Sequence, residues 1–460
     1  MNNNSLDLGK DPVLPLLLKM SLPSIIALLV TALYNIVDTF WIAKISPNAI
    51  AALTICFPVQ MIFGAIGMGT GVGAGSFASR MFGTGEDLKA HQTAGQAIFL
   101  SLFFGILIIL SATLYHDPIL RLFGATKEIL PLSRKYLLIV VFGSPFLFFM
   151  MMSDNLFRAG GNPKYSMYII ISSALLNAIL DPFLIFGWGP FPAMGLQGAA
   201  LATAISQFVT VFPSFYFLML SSFKRYLKWE YLPPNYSIIK SIYRVGLPSS
   251  VMNLAMSLIL TIHNHILGAF GPLAIATLGL NFRINGIVIM ILFGIGHGVM
   301  PLVGFNYGAY NYERLTHIVR VATKLSTIVA GISCLIIEVF ARPLLTIFTN
   351  DPELLAIAVP ALRIYVLMLV LLGPAIIWIN MFNGLGKGLT SMCLLLTRHL
   401  FFLIPLLFIL PLRFGLNGVW MAHPISTVLM FCIVCFWTKR ELKKLAKDRK
   451  PLATIEPPGV

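Results

Sequence analysis

Twelve apolar stretches, each long enough to cross a bilayer, follow one another from residue 14 to residue 437. A membrane helix needs about 20 mainly apolar residues. Breaks at charge, Gly and Pro place the stretches near 14–44, 49–81, 91–116, 132–157, 165–187, 195–221, 246–269, 273–307, 316–341, 357–384, 391–411 and 415–437. A soluble chain carries about 25% charged residues; this one of 460 residues carries 11%, with 58% hydrophobic. The pattern predicts an all-α integral membrane protein of 12 transmembrane helices with no room for a soluble catalytic domain. Met1–Asp11 lacks a basic n-region and a cleavage site, so the first span is expected to stay in place.

The 32 Lys and Arg against 17 Asp and Glu give a formal charge of +15. They are scattered over short connections and the C-terminus, which suits anionic lipid headgroups and not a nucleic-acid partner. With both termini inside, 23 basic residues fall on cytoplasmic ends and 8 on outer ends, with Arg283 inside a span. The expected location is therefore the cell membrane, multi-pass, with cytoplasmic N- and C-termini.

Sliding the chain by 225 residues aligns 22–83 with 247–308 without a gap, with 17 of 62 positions identical. Leu22-Pro23-Ser24 meets Leu247-Pro248-Ser249, and Gly69, Gly71 and Gly73 meet Gly294, Gly296 and Gly298. At a different offset, Gly195-Leu196-Gln197-Gly198 is echoed by Gly415-Leu416-Asn417-Gly418. The expected division is an N-terminal six-helix lobe (1–221), a cytoplasmic connection (222–244) with Lys224, Arg225, Lys228, Lys240 and Arg244, a C-terminal lobe (245–438) and a basic tail (439–460). Parallel six-helix repeats are an architecture of secondary transporters, with substrate between the halves.

Charges inside a membrane are expensive and mark function by default. Counting about 1.5 Å per residue from Lys19 and Lys164 puts Asp38 about 28 Å and Asp181 about 25 Å along their helices, in the same lobe and at similar depth. Asp38 aligns with His263 and Asp181 with an apolar stretch near Leu406, so the acidic pair belongs to one half only. A carboxylate pair can take up a proton or give oxygen ligands to Na⁺, and Asn177 lies one turn before Asp181. His263 and His265, two residues apart, do not share a helix face, which argues against a metal there; His263 is a candidate polar lining residue of the cavity in the second half, and Arg283 a gate or substrate-contact candidate. The glycine run from Gly69 to Gly75 lies inside an apolar helix and reads as close helix packing. Cys432 and Cys435, in the last span, read as buried apolar packing. No Walker motif, nucleophile–base spacing or metal-ligand cluster appears, so the chain is expected not to be an enzyme, to need no cofactor and to draw on an ion gradient.

Leu33-Tyr34-Asn35-Ile36-Val37-Asp38, Leu176-Asn177-Ala178-Ile179-Leu180-Asp181-Pro182, Gly198-Ala199-Ala200-Leu201-Ala202-Thr203 and Arg244-Val245-Gly246-Leu247-Pro248-Ser249 together resemble the multidrug and toxic compound extrusion (MATE) family, in its prokaryotic DinF-like branch. The resemblance implies a V-shaped pair of six-helix bundles and a monomer that exports cationic or amphipathic organic compounds in exchange for H⁺ or Na⁺. It places cation coupling, and Na⁺ if that is the ion, on Asp38, Asn177, Asp181 and Thr203. It adds Tyr34 and Tyr136 to the cavity, and a bend of the first helix at Pro23. Where relatives carry an asparagine in the fourth span this chain has Met151, with Asp154 a turn later as a cavity candidate. The alternative is a flippase for lipid or lipid-linked oligosaccharide, whose cavity should be strongly cationic. The acids of the first lobe speak against it.

Overall fold

The computed structural model describes residues 6–220 and 229–447. Lys224, Arg225, Lys228 and the tail beyond residue 447 lie outside the described residues. Among the described residues there is no strand. The first lobe comprises α1 (Val13–Ala43), α2 (Pro47–Thr84), α3 (Asp87–Leu122), α4 (Leu130–Phe142), α5 (Ser144–Ala159), α6 (Pro163–Phe186) and α7 (Leu196–Leu220). The second comprises α8 (Tyr236–Gly268), α9 (Pro272–Gly308), α10 (Tyr312–Val339), the short α11 (Ala341–Thr346), α12 (Pro352–Val366), α13 (Leu369–Gly384), α14 (Gly388–Leu396), a π-helical segment Thr397–Leu403, α15 (Ile404–Phe414) and α16 (Leu416–Lys447).

Twelve spans result when the pairs α4–α5 and α12–α13, bent by 48° and 46°, each count as one. Pro145, in the first turn of α5, has no amide to give back to Val141 and its ring crowds that carbonyl, which accounts for the first bend. Pro23 lies buried within α1, and the helix runs unbroken across it.

Two lobe boundaries differ from the sequence expectation. Helix α8 starts at Tyr236, so residues 236–244 are helical and continuous with the seventh span, and are not part of a loop. Asn235 caps it, its Oδ1 accepting from the amides of Ser237 (3.1 Å) and Ile238 (3.3 Å). Helix α16 likewise continues past residue 438 to Lys447. Hydropathy marks only the uncharged part of a helix, and both extensions carry charge, Lys240 and Arg244 in one and Lys439, Arg440 and Glu441 in the other. The cysteines differ as well: Cys432 is exposed and Cys435 half-buried, so neither packs inside.

Small residues decide how the lobes meet. A Cβ on Gly69 would stand 2.6 Å from the Gly246 carbonyl, one on Gly73 3.0 Å from the Gly246 amide, and one on Gly83 2.9 Å from the Ala309 amide. The repeat returns the same contacts from the other side. A Cβ on Gly294 would meet the Ile25 backbone at 2.9 Å, one on Gly298 the Ser21 amide at 3.1 Å, and one on Gly308 the Thr84 amide at 3.0 Å. Any side chain there would wedge the lobes apart. Around this seam the Thr70 and Tyr243 hydroxyls pair at 3.1 Å, Arg80 Nη1 donates to the Gly384 carbonyl at 3.3 Å, and the Ser76 hydroxyl donates to the Asn383 carbonyl.

The first turns of α1 and α8 are exchanged. Leu8, Val13, Leu16, Leu17 and Met20 belong to the hydrophobic core of the second lobe, with Leu302, Leu315 and Ile318. Ile238 and Ile242, the repeat mates of Val13 and Leu17, belong to the core of the first lobe, with Ala74, Ala78 and Ala94. The lobes are thus interlocked at the end of the bundle that carries both chain ends, and they form a V that opens toward the other end.

Candidate functional site

The second half of α1 lies along α6, and α6 along α7. Tyr34 and Asp38, four residues apart, present one face of α1; Asn177 and Asp181, also four apart, present the facing stripe of α6. Asp181 and Asn177 are fully buried, at 0% and 1% exposure, whereas Asp38 is half-buried. The Asn177 amide has one orientation that satisfies both its ends: the nitrogen donates to Asp181 Oδ2 at 3.0 Å. Its oxygen then accepts from the Thr203 amide at 3.2 Å and the Thr203 hydroxyl at 3.3 Å. Asp38 and Asp181 are near enough to feel one another's charge, and Tyr34 and Tyr136 are near enough to feel that of Asp38.

Helices α1, α4, α6 and α7 therefore bring together Tyr34, Asp38, Tyr136, Asn177, Asp181 and Thr203. One further member was not singled out from the sequence: Gln60 of α2, whose Nε2 donates to the Tyr136 hydroxyl at 3.1 Å. The repeat holds the clue, since half-buried Gln60 aligns with another amide, the fully buried Asn285. Oδ1 of Asp38 and Oδ1 of Asp181 are both buried without a hydrogen-bond partner, and neither acid takes part in an ion pair among the described residues. One lobe thus holds two membrane-embedded carboxylates, each with an unpartnered oxygen and neither with a basic partner among the described residues.

The other candidates lie elsewhere. Asp154 receives Arg158 in a forked pair, Nη1 to Oδ1 at 2.7 Å and Nη2 to Oδ2 at 2.5 Å, with the Ser166 hydroxyl also on Oδ1. Its charge is spent within the lobe, which removes it as a free substrate carboxylate. Arg283 is exposed on α9, its guanidinium 6.0 Å from the Phe348 ring. His263 does not line an open cavity: it is 1% exposed, and its Nε2 lies 2.8 Å from Nε2 of His423.

Two six-span lobes related by a sequence repeat, with a polar site buried in one of them, define the class of two-lobed membrane transporters. The MatE family model matches residues 23–183 and, separately, 248–409, one stretch in each lobe, and the chain belongs to the MATE family. It is 29% identical over 97% of both chains to the multidrug export protein MepA of Staphylococcus aureus. It is 28% identical to the FAD transporter of Shewanella oneidensis, over 94% of this chain and 95% of the relative. Among solved structures it superposes with a TM-score of 0.90 on the outward-facing conformation of a MATE multidrug resistance transporter, at 27% identity, covering 97% of this chain and all of that one.

Proposed function

We propose that the protein is a secondary antiporter that exports organic, often cationic, compounds from the cell, driven by protons taken up at Asp38 and Asp181. The observation that carries the reading is that Asp38 and Asp181, on the packed helices α1 and α6 of the first lobe, each keep a buried carboxylate oxygen without a partner. A proton suits this geometry better than Na⁺. The Asn177 oxygen is committed to Thr203 and its nitrogen to Asp181, which leaves chiefly the two carboxylates for a cation that prefers several oxygen ligands. Protonation neutralises the pair at no cost in ligand rearrangement, whereas a metal requires the amide to turn. Substrate in the V and protons on the acids then exclude one another, which couples the two flows. The cation-coupling role of Thr203 is to hold the amide, and those of Tyr34 and Tyr136 are to wall the acids from the lipid.

The names of the relatives support export of drug-like molecules, with a flavin nucleotide as a second cargo class. The test is efflux of a fluorescent organic cation from proteoliposomes under an imposed pH gradient or an imposed Na⁺ gradient. Efflux should follow the pH gradient and vanish in Asp38→Asn while the variant remains folded in the membrane. Undiminished efflux by that variant would refute the assignment.

A further inference from the structure

The second lobe repeats the cation site with its polarity reversed. Asp38 aligns at 225 residues with His263, Thr203 aligns at 220 with His423 through the shared Gly-x-x-Gly start of α7 and α16, and Arg134-Lys-Tyr136 corresponds to Arg363-Ile-Tyr365. In the structure these counterparts also converge. The His263 and His423 rings stack at 4.8 Å, and the Tyr365 ring lies 4.3 Å from His423. The π-helical segment between α14 and α15 turns both Arg398 and His399 inward, and π turns of this kind recur at functional sites. The Arg398 charge is felt at Tyr365, His263, His399 and His423.

We propose that His263, Tyr365, Arg398, His399 and His423 form an enclosed anion-binding site in the second lobe, which takes a small anion such as chloride or a carboxylate group. All five are at least nine-tenths buried, with Arg398 at 6% exposure and His399 at 5%. Arg398 has no ion-pair partner among the described residues. Among the described residues its guanidinium makes one hydrogen bond, Nη2 donating to the Met368 sulfur at 3.4 Å, and its Nε and both nitrogens of His399 are buried and unpartnered. A guanidinium deep in a membrane protein without a counter-charge is costly, and an anion removes that cost. A metal ion does not fit: among the described residues no three His, Cys, Asp or Glu side chains converge as ligands.

The histidine pair fits the same conclusion. His263 Nδ1 lies 3.2 Å from the Ile259 carbonyl, so it carries the hydrogen. In the neutral ring Nε2 then accepts from His423 Nε2–H, and the pair stays uncharged. The charge to be matched is that of Arg398, with a His399 N–H beside it as a second donor.

The test is the thermal midpoint of the full-length protein in detergent, titrated with sodium chloride or sodium formate while bulky sodium gluconate holds ionic strength constant. The wild type should show a saturable rise of several degrees. Arg398→Met, which leaves no buried charge to compensate, should show none. Asp38→Asn should keep the rise, separating this site from the cation site. No saturable rise in the wild type, or an equal rise in Arg398→Met, would overturn the proposal. So would a rise with flavin mononucleotide alone, since an enclosed site excludes so large a phosphate.

Discussion

The seam between the lobes is held by few directional bonds, and their removal should be measurable as a change in population. Arg80 is the informative residue. Its Nη1 reaches across to the Gly384 carbonyl at 3.3 Å and within its own helix to the Ser76 hydroxyl at 2.8 Å, while Ser76 itself donates to the Asn383 carbonyl. A hydrogen bond to a charged group contributes about 1.5–3 kcal/mol, and the long reach to Gly384 puts this one near 1.5. That is roughly a tenfold shift in the equilibrium between lobes joined at this end and lobes separated there. Adding Ser76→Ala removes a second cross-lobe bond of about 1 kcal/mol, for a further factor of about five.

Spin labels on Glu86 and Glu313, both exposed and near the first turns of α3 and α10, report the separation by pulsed electron resonance. The five native cysteines, all free, are replaced first. Arg80→Met should add a longer-distance population, and Arg80→Met with Ser76→Ala should enlarge it. Distance distributions that superpose on the parent in both variants would refute the reasoning, because the seam would then be held by the packing of small residues alone.

Gly69→Val and Gly298→Val place side chains where the opposite backbone already sits. Each should raise the separated population more than Arg80→Met does, read with the same labels. Asp154→Asn leaves Arg158, 4% exposed, without its counter-charge. The loss should be about 3–5 kcal/mol, seen as a drop in thermal midpoint and membrane yield, whereas Asp181→Asn should leave both near wild type and abolish gradient-driven efflux. Gln60→Leu frees the Tyr136 hydroxyl and should cost about 1 kcal/mol, lowering the thermal midpoint without abolishing efflux. Replacing Na⁺ by K⁺ on both sides of proteoliposomes should leave efflux under a pH gradient unchanged; a requirement for Na⁺ would move the coupling ion from proton to metal.

The spans and the repeat were legible because a bilayer enforces length and apolarity so strictly that interruptions by charge stand out. Asp38 and Asp181 were legible for the same reason. Their meeting was not, since it depends on how α1 lies against α6. The glycines of α2 and α9 were readable as packing residues, yet which helix each admits is a property of the lobe arrangement. Asp154 could have been paired in advance, as Arg158 follows it by four residues on one helix face. His423 escaped notice because it aligns with Thr203 only at a 220-residue offset, so no single sliding comparison sets all its neighbours beside the first-lobe site.

The exchange of first turns between the lobes bears on how such a chain is made. During synthesis the first six spans emerge with part of their core vacant, because Ile238 and Ile242 that fill it belong to the seventh span. Leu8 and the apolar side chains at the start of α1, from Val13 to Met20, meanwhile wait for α9 and α10. The first lobe therefore completes its folding only after the second has begun to insert. Halves divided in the connection should each be unstable alone and recover stability when produced together in one membrane.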